Sequence, residues 1–278
     1  MEISHLSVEI TRRCNLKCRH CCRGDAQNID IDYKYIDLLL DQINYIDHLT
    51  FTGGEPSLNV PAMQYFIDEC IRKSVKIRNV SIITNGVKIE QDFIDVCIDI
   101  FNMIVDKIDV RVSDDIYHQE QKLYDDSLLK SLPFFAIRSN VKILREGRGR
   151  HLKESEAYGA GTMPFTSSSC FNSKKHYITM NVFGEIINGI DWSYDNQMFH
   201  YLCRIENLSI AYEYLNQHEM NNRFVEDDWE RLSNKDKMYL QEKEREIWEE
   251  YQRWIEDQER LPTRIIVKVP KEVKEVVK

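Results

Sequence analysis

The sequence predicts an α/β fold built on a parallel sheet, and three observations support this prediction. Short apolar runs alternate with amphipathic helical patterns through the first half of the chain. Several of the runs lead directly into a loop rich in glycine or cysteine, as expected for repeated strand–helix–strand units with right-handed crossovers. The 278 residues, 42% of them hydrophobic, are enough to fill one large core with an appended region.

The expected elements follow in the order strand, helix, strand. Apolar runs predict strands at residues 7–10, 48–51, 76–83, 107–113 and within 134–144. Helical spacing of apolar side chains predicts helices at residues 33–46, 61–71, 90–101 and 115–131. Pro61 suits the first turn of its helix, where a backbone N–H has no helical partner to lose.

The second half of the chain is less regular. Residues 177–188 alternate between apolar and polar around Phe183 and Gly184, which predicts a β-hairpin. A charged region follows, with a helix expected at 235–260 and a strand at 263–269. If that helix docks on the rest of the chain, Trp248 and Trp254 should be buried. We therefore expect a core at 1–165, a hairpin region at 166–205 and a charged helical tail with a terminal strand at 206–278.

Composition and charge exclude several classes of protein. The net charge of −9 at pH 7 argues against a general nucleic-acid binder, which needs a basic face. No apolar run approaches the length of a membrane span, and residues 1–5 lack the start of a secretory leader. We therefore expect a cytoplasmic protein with reduced thiols and with no membrane or nucleic-acid partner.

Three cysteines near the start, Cys14, Cys18 and Cys21, have the spacing C-x3-C-x2-C. Three thiolates can hold a cubane iron–sulfur cluster and leave one iron open to an outside ligand. An open position of that kind is typical of catalytic metal sites. A zinc site completed by His20 or Cys22 is the alternative interpretation. Structural zinc sites usually add a second ligand pair, and none follows here.

Two further motifs come directly after predicted strands. Thr-Gly-Gly-Glu-Pro occupies residues 52–56, and Thr-Asn-Gly occupies residues 84–86. Ligands of parallel α/β sheets gather at the carboxyl ends of the strands. The cysteine motif, the glycine motif and Thr-Asn-Gly should therefore lie along the same edge of the sheet.

The run Cys-Asn-Leu-Lys-Cys-Arg-His-Cys at 14–21, together with these two motifs, resembles the radical S-adenosylmethionine (radical SAM) enzymes. The resemblance covers roughly residues 3–145. It implies a partial (β/α)6 TIM-like barrel, here with a C-terminal hairpin and helical extension. It also implies that Cys14, Cys18 and Cys21 hold one [4Fe-4S] cluster, whose fourth iron binds S-adenosylmethionine. Reductive cleavage of that cofactor would yield methionine and a 5′-deoxyadenosyl radical, which abstracts hydrogen from a substrate.

The resemblance also implies contacts to the cofactor, which are expectations at this point. Gly53, Gly54 and Glu55 would face the methionine ammonium, with Glu55 alternatively bracing its loop. The remaining candidates lie at the ends of the third, fourth and fifth strands and are Asn85, Ser113 and Arg145, with Arg138 as a competitor for Arg145. A solvated loop is the alternative for residues 145–150. His118 could face the substrate or be structural.

The residues after 165 bear on the substrate. Cys170 and the following hairpin resemble the start of the auxiliary-cluster domain (SPASM or twitch type) of peptide-modifying members of the family. Only Cys170 and Cys203 remain in that half, too few for a second cubane. We expect a peptide or protein side chain as substrate, with a cofactor precursor, a nucleotide or a glycyl-radical enzyme as alternatives. A flavodoxin or ferredoxin would supply electrons. A non-catalytic iron–sulfur redox protein or a zinc-binding interaction protein is a different class that also stays open.

Overall fold

The structure is a computed structural model, and it describes residues 1–87, 89–104, 107–121, 127–138, 144, 146–152 and 177–209. The described residues form these strands: β1 (Glu2–Thr11), β2 (Tyr45–Gly53), β3 (Lys76–Thr84), β4 (Lys107–Ser113), β5 (Phe135–Arg138), β6 (Tyr177–Met180), β7 (Glu185–Asn188) and β8 (Tyr201–Arg204). The α-helices are α1 (Tyr33–Leu40), α2 (Val60–Lys73), α3 (Gln91–Met103), α4 (Ile116–Gln119) and α5 (Ser127–Lys130). Short 3-10 turns lie at Pro56–Leu58, Gly147–His151, Gln197–His200 and Ile205–Asn207.

The strands of the described residues form one sheet in the order β5-β4-β3-β2-β1-β6-β7-β8. Strands β1 to β5 are parallel, each next to its successor in the chain, and β6 adds in parallel to the other side of β1. β6, β7 and β8 pair antiparallel. The predicted α/β class is confirmed: a parallel sheet like that of a partial TIM barrel carries additional antiparallel strands. The predicted hairpin is confirmed as β6 and β7.

The two faces of this sheet differ in chemistry. On one face, the side chains that pair across β1 to β4 are apolar and almost fully buried. They form two neighbouring rows, which are Leu6, Leu49, Val80 and Ile108, and then Val8, Phe51, Ile82 and Val110. Phe66 of α2 packs edge-on against Phe51, with ring centroids 5.4 Å apart, so this face carries the helices. The opposite face is mostly polar, with the rows His5, His48 and Asn79 and Ser7, Thr50, Ser81 and Asp109.

Two predicted helices differ from the structure. The helix expected at 33–46 ends at Leu40, because β2 begins at Tyr45 to pair with the first residues of β1. The helix expected at 115–131 is represented in the described residues by two single turns, α4 and α5. After α4, the Gln121 side chain accepts a hydrogen bond from the Lys17 backbone N–H at 2.8 Å, so a tertiary contact competes with continuation of the helix.

Several expectations fall on residues outside the described ranges. These include Arg145, Cys170, Trp248, Trp254 and the helix and strand expected at 235–260 and 263–269. They stay predictions, as do the proposed domain boundaries. Cys70 on α2 and Cys97 on α3 are fully buried, in keeping with packing roles. Among the helices that are described, none has both the length and the apolar character needed to span a membrane.

Candidate functional site

The carboxyl ends of β1 to β4 meet at one edge of the sheet. Thr11 at the end of β1 is opposite Gly53 at the end of β2, and Thr84 at the end of β3 is opposite Val112 of β4. The cysteine loop, residues 12–32, follows β1, and the glycine loop, residues 53–56, completes β2. The three motifs therefore lie along one edge, as the sequence predicts.

The three thiols of the motif lie in the cysteine loop, near enough to act on one another electrostatically. Cys18 is buried, and Cys14 and Cys21 are half-buried. Burial raises the pKa of the Cys14 thiol to about 11 and the pKa of the Cys18 thiol to about 12, and each of the two thiols also experiences the charge of Cys21. Thiols in such surroundings become thiolates when a cation binds them, because metal binding displaces their protons.

Glycine is required at both positions of the glycine loop. The N–H of Gly54 donates to the Thr11 carbonyl, and the N–H of Glu55 donates to the Arg13 carbonyl, both at 2.8 Å. A Cβ atom at Gly53 would collide with the Thr11 carbonyl oxygen, and one at Gly54 would collide with the Arg13 carbonyl oxygen. The close approach made by these glycines is therefore between the glycine loop and the start of the cysteine loop.

Glu55 braces this arrangement. Its carboxylate is buried and accepts hydrogen bonds from Thr84 Oγ1 at 2.6 Å, the Asn85 N–H at 2.7 Å and the Ser57 N–H at 3.1 Å. Burial raises the pKa of Glu55, and these hydrogen bonds oppose the rise because they favour the charged form. Both carboxylate oxygens thus have protein partners, and Glu55 joins the end of β2 to the end of β3.

Asn85 joins β3 to the cysteine loop beside one of the thiols. Its Nδ2 donates to Asn15 Oδ1 at 2.7 Å and lies 3.9 Å from the Cys14 sulfur. Its Oδ1 accepts from the Val87 N–H at 2.9 Å, which fixes the orientation of the amide. Ser113 is the last residue of β4 and is opposite Arg138 of β5, so it lies at the expected edge.

Asp115 brings together His118 and His20, which the sequence analysis considered separately, between the cysteine loop and α4. Asp115 Oδ2 is 2.6 Å from His118 Nδ1 and 3.4 Å from His20 Nε2, while Oδ1 accepts from the backbone N–H groups of Tyr117 and His118. The His20 ring stacks on Tyr117. Burial acts to raise the pKa of Asp115, but the hydrogen bonds from both histidines outweigh it and hold the pKa below its usual range. The sequence offers Asp115 as a helix N-cap with His118 three residues later, but no local pattern links either residue to His20.

Residues 146–151 differ from the solvated loop considered as the alternative for 145–150. Glu146 is buried and accepts hydrogen bonds from the Ser193 N–H and from Asn196 Nδ2. Gly147 has a left-handed φ of 51°, and a Cβ there would lie 2.5 Å from the Cys22 carbonyl oxygen. Arg148 donates to the cysteine loop. This segment is therefore packed onto the site, and Arg148 is a residue that the sequence reasoning missed.

A buried polar network connects the start of the cysteine loop to the region after β7. Arg12 Nε donates to Glu9 Oε1 at 2.6 Å, and the Gln197 amide contacts both Arg12 and the other oxygen of Glu9. The Arg12 guanidinium also lies over the rings of Tyr194 and Phe183, 4.3 and 4.8 Å from their centroids. No local sequence pattern indicates this network, because its members are far apart in the chain.

The chemistry of the donor set fits a cluster with three thiolate ligands. The three thiols of the motif interact electrostatically, and His20, a candidate fourth ligand, faces Asp115. Burial raises the pKa of the Cys22 thiol, and the charges of Asp191 and Arg23 are the next largest influences on it. The residues that are described thus provide three thiols in one loop and, along the same edge, a glycine loop held by backbone hydrogen bonds.

Comparisons with known proteins agree with this site. The family model described as the radical SAM superfamily matches residues 8–117. The uncharacterized protein MJ0907 of Methanocaldococcus jannaschii is 40% identical over 72 residues, covering 24% of this chain and 25% of that protein. Protein YfkA of Bacillus subtilis is 32% identical over 71 residues, covering 24% of this chain and 19% of its own length. The matched part is thus a quarter or less of each of these relatives.

Solved structures are also similar to this chain. The structure described as native anSMEcpe with bound AdoMet and Cp18Cys peptide is 14% identical with a TM-score of 0.49, covering 79% of this chain and 83% of that one. Streptococcus suis SuiB bound to precursor peptide SuiA is 12% identical with a TM-score of 0.35, covering 66% and 58%. Similarity at this level does not bear on activity. The family match shows that residues 8–117 belong to the radical SAM superfamily, whose enzymes use a [4Fe-4S] cluster and S-adenosylmethionine.

Proposed function

We propose that this protein cleaves S-adenosylmethionine reductively at a single [4Fe-4S] cluster and then abstracts hydrogen from a peptide or protein side chain. The observation that carries the proposal is the position of the three-cysteine loop and the glycine loop, in contact at the same edge of a parallel sheet. An electron carrier needs the thiols but has no use for a rigid loop beside an open iron. The same holds for a zinc-binding interaction module.

Cys14, Cys18 and Cys21 would hold the cluster. When bound, the reduced cluster and S-adenosylmethionine together supply a 5′-deoxyadenosyl radical. Glu55 and Asn85 hold the glycine loop and the Thr-Asn-Gly turn against the cysteine loop, so that the edge is in place before the cofactor binds. The backbone of Gly53 and Gly54 would present carbonyl groups to the methionine ammonium.

Two further cofactor contacts remain proposals. Ser113 at the end of β4 is the candidate for the ribose hydroxyls. Arg145 is the candidate for the methionine carboxylate and lies outside the described residues. Of the two roles considered for Glu55, the hydrogen bonds that its oxygens accept from Thr84, Asn85 and Ser57 favour the brace over the ammonium contact.

The polar face of the sheet supports a polar substrate. Rows of hydroxyl, imidazole and carboxylate groups line β1 to β4 on the side away from the helices. Asp109 is 8% exposed, and its Oδ1 has no hydrogen-bond partner among the described residues. Such an atom can accept a hydrogen bond from an N–H or O–H of a substrate, and a peptide offers many of these groups.

Anaerobic reconstitution tests the proposed activity. The purified protein is loaded with iron and sulfide, reduced, supplied with S-adenosylmethionine and assayed for 5′-deoxyadenosine. We expect the combined Cys14→Ala, Cys18→Ala and Cys21→Ala variant to lose both iron and cleavage. Cys22→Ala is the matched control and should keep both. Cleavage that survives in the triple variant, or a loss of iron and cleavage in Cys22→Ala, would contradict the proposal.

A labelling experiment tests the substrate class. Extract from cells grown in deuterated water is separated into a peptide and protein fraction and a small-molecule fraction, and each is added to the reconstituted protein. We expect deuterium in 5′-deoxyadenosine with the peptide and protein fraction. Deuterium that enters only from the small-molecule fraction would favour a cofactor precursor or a nucleotide instead.

A further inference from the structure

Residues 147 and 148 lie directly on the backbone of the cysteine loop. The Arg148 N–H donates to the Cys21 carbonyl at 2.9 Å, and Arg148 Nε donates to the Cys18 carbonyl at 2.8 Å. The neighbouring Gly147 allows this contact, because a Cβ atom there would lie 2.6 Å from the Cys21 carbonyl oxygen. Arg148 thus contacts two of the three residues whose thiols form the site, although 130 positions separate it from Cys18.

The charge of Arg148 is only weakly neutralised. Its side chain is 19% exposed, and its NH1 donates at 2.8 Å to Asp25, whose side chain is 77% exposed. Water screens a carboxylate at such a position. Because the hydrogen bond from Nε to the Cys18 carbonyl fixes this charge on the cysteine loop, the guanidinium lies beside the proposed cluster ligands.

We infer that Arg148 raises the reduction potential of the cluster held by Cys14, Cys18 and Cys21, and is a positioning and tuning residue for the first electron transfer. This inference rests on the proposed function. Reduction adds one electron, and hence one negative charge, to the cluster from a low-potential one-electron reductant. A fixed positive charge nearby stabilises the reduced cluster more than the oxidised cluster.

The test is an anaerobic redox titration of the reconstituted protein, followed by electron paramagnetic resonance, with iron and sulfide content measured for each sample. We expect Arg148→Gln to lower the equilibrium constant for reduction about tenfold, which is about 59 mV for a one-electron couple. Arg148→Lys keeps the charge, and its equilibrium constant for reduction should stay within about twofold of the value for the unmodified protein. Arg150→Gln is the matched control on the same turn. The Arg150 side chain is 44% exposed, and the reduction potential of the cluster should not change in this variant.

A second variant keeps the test decisive if Arg148→Gln fails to load. Asp25→Asn removes the exposed carboxylate that faces Arg148, and we expect it to raise the equilibrium constant for reduction about twofold. A loaded Arg148→Gln with an unchanged potential would overturn the inference, and so would an Asp25→Asn shift in the same direction as Arg148→Gln. If the unmodified protein binds no cluster or cleaves no S-adenosylmethionine, the proposed function fails and this inference fails with it.

Discussion

The helix-covered face of the sheet and the edge that holds the site are stabilised by different physics. On the helix-covered face, rows of aliphatic and aromatic side chains interlock, and burial of apolar surface supplies the stabilisation. At the edge, few apolar groups are available, and specific hydrogen bonds and glycines hold three loops together. The stability of the helix-covered face therefore depends on the volume of apolar side chain that it buries. The stability of the edge depends on individual hydrogen-bonding atoms and on the absence of a Cβ at its glycines.

The largest effect should come from a cavity in the apolar region. Phe66→Ala removes a fully buried ring that packs on Phe51 and should lower the free energy of unfolding by about 3–5 kcal/mol. Urea unfolding followed by circular dichroism measures this change. Ile71→Ala on the same helix is the control, since Ile71 is 61% exposed and its loss should change the value by less than about 0.5 kcal/mol. Similar values for the two variants would show that volume is not what this face requires.

A smaller effect is expected from a single methyl group in the glycine loop. Gly54→Ala would push that loop away from Arg13 and should cost up to about 3 kcal/mol of stability. The amide of Glu55, which donates to the Arg13 carbonyl, should also lose protection from hydrogen exchange. Gly24→Ala is the matched control, because the nearest atom to a Cβ there is 3.9 Å away and only the left-handed backbone is strained. Full protection of Glu55 in Gly54→Ala would argue against the close approach.

Glu55→Gln tests the brace by changing one atom. A glutamine has a single acceptor oxygen, so its NH2 group must face one of the present donors, and we expect a loss of about 2 kcal/mol. Unfolding in urea gives the value, and a double-mutant cycle with Thr84→Val isolates the Glu55–Thr84 contact. Additive effects of the two substitutions would mean that these side chains act independently.

The polar face predicts a dependence of stability on pH. Burial, together with the nearby His48, lowers the pKa of His5 to about 3. The unfolded chain takes up a proton on this histidine below about pH 6.5, whereas the folded protein does so only near pH 3, so stability falls as pH falls through that window. We expect a loss of about 1–2 kcal/mol between pH 7 and pH 5. His5→Gln should show a smaller loss over the same range, and an identical pH profile would refute the assignment.

Much of the fold follows from local patterns in the sequence. The apolar runs and helical stripes predict β2, β3, β4, α2 and α3 to within a few residues, because period and composition are local properties. The C-terminal end of α1 and the division of the helix expected after β4 into α4 and α5 were not predictable in this way. They depend on pairing of Tyr45 with Glu2 and on a contact between Gln121 and Lys17.

The candidate site was predictable in part for the same reason. The cysteine spacing and the Thr-Gly-Gly-Glu-Pro motif can be recognised from adjacent residues in the sequence, and the strand order explains why they meet. The bracing role of Glu55 needs the position of Thr84, which is 29 residues away. Its two possible roles could be separated only when the donors around its carboxylate were known.

The sequence by itself determined the order of strands and helices, the three thiols and the edge of the sheet where they had to lie. Only the tertiary structure decided that Arg148 contacts Cys18 and Cys21, that Asp115 lies between two histidines and that β6 adds next to β1. The physical reason is range. Periodicity and motif spacing involve residues of a single helix, strand or loop, so they can be recognised in the sequence. A hydrogen bond between residues 130 positions apart forms only after the intervening chain has folded.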